Sequence, residues 1–246
     1  MRKYKTLAVI FMGAPFSDIT LYTPTPHTAG TVEYLEDTSL KNFVSDLYVQ
    51  KMYGYKPPRT SRITIQPYYH DIWNRTWKNG SIVAIAPFYS HDEYSSLDKK
   101  GRYKYILNII QVATLELSEE YKWDKTVFER AYKEIIENDF EFTITYPTKM
   151  SKDKKKVGQV VIEKTERITT LNLQFIIGND IKKVKLFQNR NWFWYDIAYE
   201  MAKNSKWLDN SSFGVYSKKS NKFGYYSLID DVIIGKLDFR EDEFIL

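Results

Sequence analysis

Apolar residues recur at spacings of three and four between residues 102 and 138, a pattern that predicts two amphipathic helices joined by a short turn. The first helix presents Ile106, Ile109, Ile110, Ala113 and Leu117. The second presents Val127, Phe128, Ala131, Tyr132, Ile135 and Ile136. Asp124 between them is a fitting N-cap, because its carboxylate can accept from the free amides of the next turn. Trp123 before it and Phe128 after it have the spacing of a hydrophobic staple.

Downstream the period falls from 3.6 to 2. Phe140, Phe142, Ile144 and Tyr146 alternate with polar residues, as do Leu171, Leu173, Phe175 and Ile177. Gly178-Asn179-Asp180 reads as a tight turn into a strand at 181–187, and 157–168 supplies a further strand. The alternation predicts antiparallel strands with one buried and one wet face. A helix is expected over 192–203, with Phe193, Ile197, Ala198 and Met201 inward, and a last hairpin joins 212–217 to 223–228.

Upstream, 4–12 reads as a strand and 13–31, punctuated by Gly13, Pro15, Pro24, Pro26 and Gly30, as an irregular loop. A helix is expected from Leu40 to about Met52, capped by Thr38 or Ser39 and stopped by Gly54 and Pro57-Pro58. Strands follow at 61–66 and 81–86; the second is a nearly unbroken apolar run, which suggests a central position. The fold class expected is α+β, with the 102–138 hairpin packed on a largely antiparallel sheet that includes 140–146 and 171–187. A subdivision near 139 would separate a mixed part, 1–138, from an antiparallel meander with one helix, 139–246. With one residue between helix and strand there, a single domain over 1–246 is the expectation.

Composition narrows the function mostly by exclusion. The chain has no Cys among 246 residues, which removes disulfide scaffolds, thiolate metal sites and Cys nucleophiles. The basic start, Met1-Arg2-Lys3, leads into an apolar run at 7–12 that is short for a signal peptide, and no segment has the length of a membrane span. A cytoplasmic protein that does not engage a membrane is expected. Thirty-six basic residues against 31 acidic give a net charge of +5, a mild excess that permits nucleic acid without favouring it.

Motifs for catalysis are missing. His27, His70 and His91 are scattered, with no HExxH, so neither a metal site nor a cofactor is expected; the pairs His70-Asp71 and His91-Asp92 keep a dispersed hydrolase site as the alternative. No GxSxG, GxGxxG or GxxxxGK[ST] occurs. Glu163-Lys164 lacks the Glu-x-Lys spacing of a nuclease motif. The carboxylate pairs, Glu119-Glu120 and Asp230-Asp231 among them, read as solvated charge. Lys152, Lys154, Lys155 and Lys156 read as a hairpin tip.

Two clusters combine aromatic and basic residues. Trp73, Arg75 and Trp77 fall in a polar segment read as a loop between two strands and ended by Asn79-Gly80; they are the expected partner-binding residues. Asn189-Arg190-Asn191-Trp192-Phe193-Trp194-Tyr195 lies where a strand hands over to a helix, with one aromatic expected in the core and one or two outside. The function this favours is non-catalytic binding of a protein partner, as in a bacterial immunity protein that neutralises a toxin. Nucleic-acid binding is a further alternative.

Overall fold

The computed structural model describes residues 16–22, 31–67 and 75–237. The strand expected at 4–12, most of the loop at 13–31, and His27, His70 and Trp73 lie outside the described residues. The fold is α+β, and the chain forms two compact units, Met1–Phe140 and Glu141–Leu246.

In the first unit β1 (Asp18–Leu21) leads to α1 (Val32–Lys51) and back to β2 (Arg62–Ile65); β3 (Arg75–Asn79) and β4 (Ile82–Ala86) form a hairpin; α2 (His91–Ser96), α3 (Lys99–Tyr121) and α4 (Lys125–Glu137) follow. The sheet order is β1-β2-β4-β3. β1, β2 and β4 run parallel, with Ile19 beside Ile63 and Ile63 beside Val83. All three side chains are buried, as are the four residues 83–86, which is why 81–86 reads as a continuous apolar run.

Two sequence expectations change here. Helix α1 begins at Val32, where Thr31 caps it by accepting from the Tyr34 amide at 3.3 Å. Its first turns carry exposed Val32 and Leu35 among Glu and Tyr, so no apolar face marks them. The segment carrying Arg75 and Trp77 is a strand, not a loop: β3 pairs antiparallel with β4 at the sheet edge, turning at Gly80 with φ of +59°. Its polar composition suits an edge, where neither face has to be apolar.

The hairpin of α3 and α4 forms as expected. Lys122 ends α3 in the left-handed conformation, and the Asp124 carboxylate accepts from the Thr126 amide at 3.1 Å. The rings of Trp123 and Phe128 lie 6.2 Å apart, closing the staple. Every apolar position named for α3 is buried, and so are Val127, Phe128, Ala131 and Ile135; Ile136 instead is 38% exposed. Within the first unit the hairpin packs chiefly against α1, with α2 and β4 also touching α3. The strands expected within 140–146 and 171–187 form in the second unit, from Glu141 onward. Burial around α1 encloses polar groups too: the Tyr48 hydroxyl donates to Gln111 Oε1 at 2.7 Å and lies 2.9 Å from the Thr114 hydroxyl. Burial holds that phenol well above its ordinary pKa.

The second unit holds β5 (Phe142–Thr145), β6 (Lys149–Met150), β7 (Lys156–Lys164), β8 (Ile168–Ile177) and β9 (Asp180–Arg190) in one antiparallel sheet. A 3-10 turn (Phe193–Tyr195) and α5 (Ile197–Lys203) lead to a second antiparallel sheet, β10 (Lys206–Trp207), β11 (Ser212–Tyr216), β12 (Phe223–Ser227) and β13 (Val232–Lys236). The lysine run is the tip of the β6–β7 hairpin, as expected. Gly178, at φ +62°, takes the strained corner of the two-residue turn between β8 and β9. Leu171, Leu173 and Phe175 face a core shared with Val160, Ile162, Ala198, Met201, Phe213 and Val215.

Candidate functional site

Of the three residues singled out by sequence, Trp77 is placed most fully. It lies on β3 opposite Ala84 and is 39% exposed. Arg75 begins the same strand. His91 opens α2, its Nε2 lying 3.1 Å from the Ser95 hydroxyl. Among the described residues no three His, Asp or Glu side chains gather as a metal site would require. Nor is any helix among the described residues long and apolar enough to cross a membrane.

The segment 190–196 in the second unit is a more elaborate arrangement. It starts where β9 ends. Asn191 is buried; its Nδ2 donates to the Thr165 carbonyl at 2.7 Å and its Oδ1 accepts from the Phe193 amide at 2.7 Å. Phe193 is driven to φ of +53°, unusual for a residue with a bulky side chain and costing on the order of 1–2 kcal/mol. The helix expected over 192–203 therefore starts only at Ile197. Asp196 interrupts it as an N-cap, with Oδ1 accepting from the Ala198 amide at 3.0 Å.

What holds this turn is an enclosed ionic group. The side chains of Lys164 and Asp196 are both fully buried, with Nζ 3.7 Å from Oδ2. Lys164 also donates to the Phe193 carbonyl at 3.1 Å and to the Tyr199 hydroxyl at 3.0 Å. Asp196 Oδ2 further accepts from the Thr169 hydroxyl and, at 3.3 Å, from the Trp192 amide. A buried charge is tolerated only when so many of its hydrogen-bonding positions are satisfied. Because the group grips the backbone at 192, 193 and 198, it fixes the strained turn in one geometry. Being enclosed, neither charge is presented to a substrate.

What faces outward is aromatic. The Arg190 guanidinium lies 4.7 Å from the Trp192 ring centroid, within cation–π range. Phe193 and Trp194 rings are 6.1 Å apart, and Trp194 and Tyr195 rings 5.6 Å. Tyr195 is 70% exposed, and the other three aromatics are half-buried. The turn thus presents π faces, a guanidinium and a phenol. These groups suit stacking and hydrogen bonding, and the turn contains no paired nucleophile and base. Aspartate followed by Ile197-Ala198 was the available sequence signal for the break at 196. The buried partner, Lys164, gives no local sign.

A second buried ionic group lies in the first unit. Lys41 Nζ is 2.9 Å from Asp37 Oδ2, and the Tyr94 hydroxyl donates to Asp37 Oδ1. Burial, followed by that hydrogen bond, pushes the Tyr94 phenol far up. Tyr94 packs with Tyr89 and Tyr105, whose rings are 5.7–5.8 Å from its own, and the group ties α1 to α2. This is a joint between helices, with the ions screened from water.

Comparisons with protein-family models, with curated proteins and with solved structures found no match.

Proposed function

We propose that the protein works by binding a protein partner, without catalysis, and that the turn at 190–195 is the principal anchor. The observation that carries this reading is Tyr195: a 70% exposed aromatic on a turn whose backbone is fixed by a fully buried Lys164–Asp196 pair. An anchor held rigid before binding loses little conformational entropy on association, and Tyr, Trp and Arg dominate interface energetics. On this reading Trp73, Arg75 and Trp77 form a second contact on the first unit, supported by the exposure of Trp77 on an edge strand. Neutralisation of a toxin in the bacterial cytoplasm is one form such a function takes.

A photo-crosslinking amino acid at position 195, introduced into the chain in its own cells, is expected to capture a discrete protein. The same group at exposed Lys154 serves as the control. Tyr195→Ala combined with Arg190→Ala should weaken that complex by at least about thirtyfold, equivalent to ~2 kcal/mol. Capture of nucleic acid, with affinity falling steeply as salt rises, would replace this reading by nucleic-acid binding. Unchanged affinity in the double variant, with the fold intact, would remove the turn from the interface.

A further inference from the structure

The second sheet of the second unit, in the order β10-β11-β12-β13, ends on β13. This strand, Val232-Ile233-Ile234-Gly235-Lys236, pairs with β12 along its whole length without a register shift, from Ser227 beside Val232 to Phe223 beside Lys236. Among the described residues no strand lies on its far side. Val232, Ile233 and Ile234 are 45%, 45% and 55% exposed, so apolar side chains stand on both faces of the edge. Protein edges are ordinarily blunted by proline, a bulge or a mid-strand charge. β13 has none of these, and its one charge, Lys236, sits at the end.

We infer that β13 pairs antiparallel with β13 of a second copy of this chain, about a two-fold axis at Ile233. The charges choose the direction. One end of the strand follows Asp230 and Asp231 and the other ends in Lys236. Antiparallel pairing brings the acidic end of each copy beside the basic end of the other, whereas parallel pairing sets like against like. The register follows from the side chains. With Ile233 on the axis, Val232 of each copy lies opposite Ile234 of the other, and Asp230 lies at the level of Lys236. Residues opposed in this register have the same parity, as antiparallel hydrogen bonding demands. The result has an aliphatic centre and ionic ends, and it doubles the four-stranded sheet. Asp231 is already engaged by Lys182 at 2.5 Å within its own chain, whereas exposed Asp230 accepts from the Ser227 hydroxyl at 2.7 Å through Oδ2 and offers Oδ1 to the cross-copy contact. Five residues extend only about 17 Å, so the dimer is small and concentration-dependent.

Sedimentation velocity of the full chain over a wide concentration series tests this. A monomer–dimer equilibrium is expected. Ile233→Lys, which places two ammonium groups at the axis, should raise its dissociation constant at least about tenfold while leaving circular dichroism and melting unchanged. Asp230→Lys and Lys236→Glu should each weaken self-association, and an equimolar mixture of the two variants should restore it, because unlike ends then meet at both contacts. A monomer at every concentration overturns the inference, as does a dimer indifferent to all three substitutions. Hydrogen-exchange protection of the outer edge of β13 at dilutions where the chain is monomeric also overturns it. In that case residues 238–246 of the same chain would be the occupant.

Discussion

Replacing Phe128 by Ala is expected to destabilise the first unit by about 3–5 kcal/mol. The ring is fully buried and sits among three other aromatics: Tyr48 at 6.5 Å, Tyr55 edge-on at 5.8 Å and Trp123 at 6.2 Å. Its neighbours come from α1, from the segment after it and from the hairpin turn, so they cannot collapse together into the space it leaves. The staple at the start of α4 is lost in the same step. Equilibrium unfolding in urea measures the change, with Phe128→Leu as the variant that retains most of the volume and should lose much less. A loss below about 1 kcal/mol for Phe128→Ala would show that the hairpin does not pack as described.

Asp196→Ala is expected to cost the second unit about 3–5 kcal/mol as well, by a different route. The substitution leaves the Lys164 ammonium fully buried without its carboxylate counter-ion, and it takes the Asp196 acceptor away from the Thr169 hydroxyl and the Trp192 and Ala198 amides. Adding Lys164→Met to Asp196→Ala should recover part of the loss, because the uncompensated charge is then gone. Trp192 and Trp194 report on this region, so unfolding followed by tryptophan fluorescence reads the local and global effects together. If the single substitution costs under 1 kcal/mol, or the double variant is the sum of its parts, the pair is not what holds the turn.

The helical hairpin was legible because its signals agree. Period, cap and staple all point to the same boundaries, and observed helices at 99–121 and 125–137 fill the expected span. The alternating strands 142–145 and 168–177 were legible for the same reason, since one face of each meets a core. Legibility failed where burial and pattern part company. The first turns of α1 carry no apolar face, and β3 is a polar edge. β13 is too short and too uniformly apolar to reveal its period. The parallel order of β1, β2 and β4 is a property of chain direction between distant segments, which no local pattern encodes. The candidate site was half legible. Its aromatic-basic composition stood out at 189–195, but the break at Asp196 and the burial of Lys164 depend on a partner met only in the folded chain.

The two sheet styles also give the halves different folding kinetics. In the second unit successive strands find each other across short turns, as when Ile177 meets Asp180, so little chain must be closed before contacts form. In the first unit Asp18 meets Arg62 across 44 positions, and β2 then needs β4 to flank it. Parallel pairing must close that length of chain, which carries α1, before its contacts are gained. The half that is synthesised first is therefore built to wait, with an apolar sheet that depends on later residues for its cover.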